Sequence, residues 1–349
     1  KYLNYYSHYF PEKYVLYFYP MDFVYTANEL LYIANIDIEM QKYIEETLTL
    51  YNSSDNRRAA YDTVTMLTEI AESTSDISAM EIKDIYNSYD NNSLNVLFGG
   101  ADTEKFKTAY GIGKVSTVII PDILQAEKIS IFLNDEYLDE WKSYAIFKLF
   151  SDYRDYLPSE YSTLPEQPNM PIEKKAINAV KTELSEELGN IYEKKYYNAS
   201  AAEKAEEMTF DIIDAYKNAI LKSDMVSEAE KEKLLLKLEK MDVNIGIPDE
   251  KFSSASVMHG GILESSISIR KNAVEENLSL YGTSVSHKWK MPSYAVNAYY
   301  SSQDNSINIP LAMLNAPVFD TNAGYYENLG KLGAVIAHEI SHAFDSNGV

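Results

Sequence analysis

Residues 335–345 read VIAHEISHAFD, and this stretch decides how the rest of the chain is interpreted. It contains the pattern H-E-x-x-H, which is typical of helices that bind zinc. Positions four residues apart lie on the same face of a helix, so His338 and His342 can offer two imidazole nitrogens to one metal ion. Glu339 lies roughly 100° further around the helix, where a carboxylate can accept a proton from a metal-bound water. The spacing therefore predicts a zinc site with Glu339 as its general base.

The flanking sequence supports an amphipathic helix around this pattern. Apolar residues recur at steps of three and four, on the side away from the two histidines. One face of the helix is therefore expected to pack while the other holds metal. Gly330 and Gly333 are predicted to open the helix, and Asn347-Gly348 to end it. The apolar stripe consists of Leu329, Leu332, Ile336, Ile340 and Phe344.

A pair of structural histidines is the alternative interpretation of the pattern. The chain has only five histidines among 349 residues, so an accidental match is rare, and the amphipathic flanks make it rarer. Catalytic zinc usually has three protein ligands and one water, and the third ligand either lies upstream or follows Val349. His259 and His287 are interpreted as loop residues. No spacing marks out any of the upstream carboxylates that we considered, which are Glu264, Glu275, Glu276 and Glu327.

Composition and charge argue against several classes of function. With 53 acidic and 31 basic residues, the net charge is -22, which disfavours nucleic acid and anionic membrane surfaces as partners. The chain has no cysteine, which excludes disulfides, iron–sulfur clusters and thiol catalysis within it. No apolar run approaches the roughly 18 residues of a membrane span. An extracellular or cell-envelope location in a bacterium is favoured, and a cytoplasmic location is the alternative. The sequence does not indicate the oligomeric state.

Length and periodicity indicate two domains. Residues 1–250 are mainly helical by pattern, with a proline-rich connection at 157–171. After Pro248 the helical periodicity gives way to alternation, so we expect a boundary near residue 250. Predicted helices cover residues 27–50, 57–72, 79–86, 122–156, 172–195 and 201–222; a strand is predicted at 115–121, and a further helix starts at Ser227 with Glu230 completing a capping box.

Residues 289–319 contain a second group of motifs. Residues 294–300 and 307–310 have the pattern of two strands, joined by a polar turn at 301–305. A strand on the rim of a cleft can bind an extended peptide by backbone pairing, with a side-chain amide such as Asn297 adding hydrogen bonds. The strand pattern by itself favours an ordinary hairpin.

Together these motifs resemble the neprilysin-like zinc endopeptidases, a family that includes neprilysin, endothelin-converting enzyme and bacterial oligopeptidase O. The resemblance lies in VNAYY at 296–300, PLAMLNAPVF at 310–319 and GKLGAVIAHEISHAFD at 330–345. LSEELGNIY at 184–192 and residues 230–248 extend it upstream. The resemblance covers most of the chain, and its motifs are most specific after about residue 180.

The resemblance implies an α+β, mostly helical fold. A large helical capping domain is expected over residues 1–250, and the first part of a thermolysin-like zinc domain over 251–349. The resemblance also implies one Zn²⁺ per chain, held by His338 and His342. Short peptides are the expected substrates, hydrolysed by a zinc-bound water that Glu339 activates.

The resemblance implies roles for three more residues. Asn297 and Ala298 would anchor the backbone of the substrate, and Asp345 would either support a ligating histidine or cap the helix. The family's third ligand, a glutamate in an E-x-x-x-D motif, would follow Val349, as would its transition-state histidine and arginine. The chain is therefore expected to be truncated at both ends. The alternative function is that of a catalytically incomplete fragment or a peptide-binding remnant.

Overall fold

The computed structural model describes residues 13–80, 82–99, 102–113, 115–158, 161, 171–248, 260–284, 289–302 and 304–345. They form a mostly helical α+β fold, as the sequence predicts. No helix in this described part of the chain is long and apolar enough to cross a membrane. The chain divides into two compact units, Lys1–Ala176 with Val257–Ser284, and Ile177–Ser256 with Val285–Val349. This division does not follow the predicted boundary near residue 250, and the split into a capping domain and a zinc domain stays a prediction.

The helices and strands have the following limits. The helices are α1 (Ala27–Tyr32), α2 (Ile36–Asn52), α3 (Arg57–Glu72), α4 (Ile82–Ile85), α5 (Asn91–Leu97), α6 (Thr103–Ala109), α7 (Ile123–Phe132), α8 (Leu138–Tyr153), α9 (Ile172–Glu183), α10 (Ser185–Tyr196), α11 (Ala199–Lys222), α12 (Glu228–Glu239), α13 (Ile262–Ser279), α14 (Tyr325–Asn328) and α15 (Ala334–Ser341). The strands are β1 (Leu16–Tyr17), β2 (Ser88–Asp90), β3 (Thr117–Ile119), β4 (Asp242–Gly246), β5 (Tyr299–Ser301) and β6 (Ser306–Pro310).

The first unit has its core where α2, α3 and α8 meet. Met40 and Ile44 of α2, Leu67 and Ile70 of α3, and Phe147 of α8 belong to one buried cluster and have no exposed surface. A small sheet in the same unit has the strand order β1-β3-β2, with β1 parallel and β2 antiparallel to β3. This unit contributes no residue to the predicted zinc site.

The sequence predicted the limits of some helices better than others. The helix over residues 57–72 and the Ser227/Glu230 capping box are both present. The helix predicted over 27–50 is interrupted, because Asn35 has a φ of 65°, a left-handed conformation that asparagine tolerates better than most residues. The helix predicted over 172–195 is also two helices, α9 and α10.

The largest departure from prediction is α13, an 18-residue helix in a stretch that was expected to alternate like strands. Isoleucine and serine alternate there, at residues 266–269, which suggested a strand. In the structure the buried residues are Ser266 and Ile269, which lie three positions apart, as on one face of a helix. The strand-like alternation therefore gave a wrong prediction, because in a helix the buried positions recur at every third or fourth residue.

The second unit packs its sheet against the helix of the predicted zinc site. β4 is parallel and β5 antiparallel to the central strand β6. Ile307 and Ile309 of β6 are fully buried in one cluster with Leu332, Ile336 and Ile340. The apolar stripe predicted for this helix is therefore confirmed at its three central positions. The predicted first strand of the hairpin is shorter than expected, since β5 covers three residues.

The helical segment that carries the motif begins earlier than predicted. It starts with α14, passes through a π-helical turn at Leu329–Gly333 into α15, and ends in a 3-10 turn at His342–Phe344. Gly330 and Gly333 thus lie inside the segment, and the prediction that they open it was wrong. The predicted stop at Asn347-Gly348 lies outside the described residues.

Gly333 has a packing role instead. A Cβ atom at this position would lie 2.7 Å from Leu329 Cδ1 and 3.2 Å from Met208 Sδ. Met208 belongs to α11, so the missing side chain lets the motif segment approach that helix closely. Gly333, which the sequence suggested as a helix start, is the position at which the motif segment contacts α11.

Candidate metal centre

His338, Glu339 and His342 meet on one side of α15 and the turn after it. Each offers a ligand atom within 4.8 Å of the other two. The centroids of the two imidazole rings are 4.7 Å apart, with the ring planes at 79°. Among the described residues, this is the one group of three histidine, cysteine or acidic side chains that could hold a metal ion. The predicted site residues are therefore brought together as the i and i+4 spacing requires.

Asp345 fixes the orientation of one of the two histidines. Its Oδ2 lies 2.6 Å from His342 Nδ1, and this bond is the main reason why the pKa of His342 is raised. With Nδ1 directed at a carboxylate, Nε2 is the nitrogen that His342 can present to a metal. Two imidazoles, one of them held by a carboxylate, form a donor set that fits zinc.

The Glu339 carboxylate is held beside the histidines by the neighbouring strand. Only 8% of the residue is exposed, and the backbone N–H of Tyr300 in β5 donates a hydrogen bond of 3.1 Å to Glu339 Oε2. Burial raises the pKa of Glu339, against the lowering effects of His338, of His342 and of the Tyr300 bond. The Tyr300 N–H therefore holds the Glu339 carboxylate, which lies close to both imidazoles.

Asn297 and Ala298 lie just before β5 rather than within it. Asn297 is exposed, whereas Ala298 is 4% exposed and packs in the core of the second unit. In extended chain, N–H and C=O groups two residues apart point to the same edge. The backbone of Ala298 is therefore expected to share an edge with the Tyr300 N–H that binds Glu339.

The side chain of Tyr300 links this strand to α12. Its hydroxyl donates to Asn305 Oδ1 at 2.9 Å, and Asn305 Nδ2 donates to the backbone carbonyl of Lys237, also at 2.9 Å. The Lys237 ammonium lies 5.9 Å from the centre of the Tyr300 ring. Burial, with Asp304 and Asp345 nearby, raises the pKa of Tyr300 to about 12, so its hydroxyl stays protonated as a donor. This connection holds β5 in place next to Glu339.

Sequence reasoning missed Tyr216 of α11, which contacts the motif helix. Its hydroxyl donates a 2.9 Å hydrogen bond to the backbone carbonyl of Ala337. Helical spacing from Met208 and Ile212 places position 216 on the buried side of α11, but no pattern indicates a bond to a main-chain carbonyl 121 positions away.

Three of the four upstream carboxylates considered as third ligands have other partners. Glu327 binds Lys331 at 2.7 Å, Glu275 lies 3.9 Å from Lys271, and Glu276 accepts a bond from Asn272. None of them, nor Glu264, joins the metal-capable group of the described residues. His259 and His287 lie outside those residues.

A metal-capable histidine pair with a buried carboxylate between them, set beside a sheet, is the arrangement of an H-E-x-x-H metallopeptidase site. Family models extend this assignment to most of the chain. Residues 8–248 match the N-terminal model of Peptidase family M13, and residues 297–349 match a second model of Peptidase family M13. The chain therefore belongs to peptidase family M13, and the predicted membership of the neprilysin-like family is confirmed.

Individual proteins are similar to parts of this chain. A neutral endopeptidase of Lactococcus lactis subsp. lactis (strain IL1403) is 33% identical over 180 residues, which are 50% of this chain and 29% of that protein. A neutral endopeptidase of Lactobacillus helveticus is 25% identical over 296 residues, 81% of this chain and 45% of that protein. The chain thus spans less than half of the length of either relative.

The fold is shared with solved structures. The crystal structure of PEPO from Lactobacillus rhamnosis HN001 superimposes with a TM-score of 0.82 at 21% identity, over 97% of this chain and 57% of that chain. At this identity the match establishes the fold.

Proposed function

We propose that this protein is a zinc-dependent endopeptidase that hydrolyses short peptides, with one zinc ion per chain. His338 and His342 are the proposed ligands, and Glu339 is the proposed general base. The observation that carries the proposal is the grouping of these side chains within 4.8 Å, with the carboxylate bonded by a strand amide. Membership of family M13 and relatives named as neutral endopeptidases support it.

Zinc, when bound, supplies Lewis acidity that polarises a carbonyl and makes a bound water more acidic. The chain's own residues then have distinct tasks. Glu339 accepts the proton of the attacking water and can return it to the leaving amine. The Tyr300 N–H keeps one carboxylate oxygen in place, so the other oxygen is left for the proton. Asp345 holds the ring of His342 through Nδ1.

The edge beside Glu339 is the proposed site for the peptide backbone. β5 is one of the two edge strands of the sheet formed by the described residues of the second unit, and it is the one beside Glu339. Because Glu339 occupies the N–H of Tyr300, an extended peptide would pair with the chain before this residue, at Asn297 and Ala298. Asn297 is exposed and can add side-chain hydrogen bonds to the peptide. A peptide bound in this way would lie next to the general base.

The alternative function is a peptide-binding chain that does not hydrolyse. It is favoured by one observation: the metal-capable group of the described residues has two histidines and Glu339, whereas catalytic zinc usually has three protein ligands besides water. A protein that binds zinc weakly and binds peptides without cleaving them would support this alternative.

Glu339→Gln tests the proposed function. The variant should retain zinc, because Glu339 is not a proposed ligand, and should lose peptide hydrolysis by about 10²- to 10⁴-fold, the usual contribution of a general base. Zinc content and cleavage of a fluorogenic short peptide would be measured on the same preparations.

Glu327→Gln is the matched control, since Glu327 is an exposed glutamate of the same helical segment that pairs with Lys331. It should behave like the unmodified protein. Hydrolysis that survives in Glu339→Gln at the level of this control would refute the role of Glu339. An unmodified protein that binds zinc but cleaves nothing would favour the non-hydrolysing alternative.

A further inference from the structure

Tyr216 of α11 contacts residues on both sides of the zinc motif. Its hydroxyl binds the carbonyl of Ala337, the residue before His338. Its ring stacks on Phe344, two residues after His342, with centroids 6.1 Å apart and the planes at 26°. One side chain thus contacts the chain both before and after the five-residue motif.

The hydroxyl bond is additional to the bonds that form the helix. Within α15, the carbonyl of Ala337 is positioned to accept the N–H four residues later, and a carbonyl oxygen has a second lone pair for the hydroxyl. Burial raises the pKa of Tyr216, so its hydroxyl remains a neutral donor across the physiological range. The bond is therefore not needed to form the helix, and it adds a directed link between the helix and α11.

Met208 packs against Gly333 elsewhere along this contact, and the hydroxyl of Tyr216 adds a directed bond to Ala337. Tyr216 lines an open apolar groove of about 420 Å³, whose walls are otherwise formed largely by small residues. Ala215 and Ala219 of α11 line it together with Gly333, Ala334 and Ala337. These small side chains cannot bridge the groove, whereas the Tyr216 hydroxyl reaches the carbonyl of Ala337. Ile212 and Leu329 complete the lining.

The ring contact also bears on the second ligand. Phe344 precedes Asp345, whose carboxylate holds His342 through Nδ1. A ring stacked on Phe344 therefore restrains the turn from which Asp345 acts. The two contacts of Tyr216 together restrain the backbone beside His338 and the carboxylate behind His342.

We propose that Tyr216 is a positioning residue for the zinc site, which acts through Ala337 and Phe344 without touching metal or substrate. This inference rests on the proposed zinc site. Its expected consequence is that removal of the hydroxyl lowers zinc affinity and changes the geometry of the ligands, while the fold is retained.

The test compares Tyr216→Phe with Tyr325→Phe. Tyr325 donates a 2.7 Å hydrogen bond to Asp211, and so also links α11 to the motif segment, but through an exposed side chain before the motif. Each variant loses one hydroxyl bond between the same two parts of the unit. Zinc affinity of the whole chain, measured by competition with a chromophoric chelator, should fall roughly 2- to 10-fold in Tyr216→Phe, the range of one neutral hydrogen bond. Tyr325→Phe should match the unmodified chain.

The visible absorption spectrum of the Co²⁺-loaded chain is the second readout, because it reports ligand geometry rather than stability. The spectrum should shift in Tyr216→Phe and stay unchanged in Tyr325→Phe. If the unmodified chain binds zinc but both variants bind equally well with unchanged Co²⁺ spectra, the role of Tyr216 is refuted. If the unmodified chain binds neither ion, the proposed zinc site itself fails.

Discussion

α9 and α15 carry the same kind of apolar stripe but bury it to opposite degrees. In α15, Ile336 and Ile340 have no exposed surface. In α9, all of whose residues are described, Ile177 is 55% exposed, Val180 is 43% exposed and no residue is buried. The periodic pattern therefore predicts a helix and the identity of its apolar side, whereas burial depends on what packs against that side.

This difference matters for the metal centre. The stripe of α15 meets Ile307 and Ile309 of the central strand, which are also fully buried. A site needs supporting elements that hold its side chains to within about half an ångström. Packing on the apolar face of α15 provides such support for the opposite face, which carries His338. In the described part of the chain no residue of α9 is buried, and no proposed site residue lies on this helix.

Replacement of a buried stripe residue should have the largest effect. Ile336→Ala removes most of a fully buried side chain and should lower the free energy of unfolding by about 2–5 kcal/mol. Alanine favours helix more than isoleucine does, so the loss would come from packing and not from helix propensity. Urea unfolding followed by circular dichroism measures it, and a loss below about 0.5 kcal/mol would contradict the packing argument.

The two glycines of the π-helical turn should respond in opposite directions. Gly333→Ala would bring a Cβ atom to 2.7 Å from Leu329 Cδ1, and we expect a loss of about 1–3 kcal/mol from overpacking. At Gly330 no described heavy atom lies within 4 Å of the added Cβ, so Gly330→Ala should stabilise by about 0.5–1 kcal/mol through helix propensity. Urea unfolding of both variants tests the pair. Equal effects would show that packing against Leu329 and Met208 does not select glycine at position 333.

The same glycines show where sequence reasoning succeeds and where it stops. The i and i+4 spacing of His338 and His342 predicted their common face because the rule is local to one helix. Gly330 and Gly333 were misread because local propensity treats every glycine as a helix breaker. The contact of Gly333 with Met208, 125 positions earlier in the chain, follows from tertiary packing that local rules do not contain.

The contacts around the site also include some that the sequence could predict and some that it could not. The family resemblance implied that Asp345 either supports a ligating histidine or caps the helix, and the structure has its carboxylate 2.6 Å from His342 Nδ1. The amide of Tyr300 on Glu339 and the hydroxyl of Tyr216 on Ala337 could not be predicted, because each is a backbone contact between distant segments. Side-chain type signals a bond to a main-chain group only where that group is close in sequence, as in a capping box.

Replacement of an exposed stripe residue should have the smallest effect and tests the comparison most directly. Ile177→Ala in α9 should change the free energy of unfolding by no more than about 0.5 kcal/mol, since little apolar surface is lost from the fold and alanine favours helix. The measurement is the urea midpoint beside that of Ile336→Ala. A loss of about 2 kcal/mol or more in Ile177→Ala would be on the scale of a core truncation. It would mean that the apolar stripe of α9 is buried, as that of α15 is, and that the two helices differ only in what packs against them.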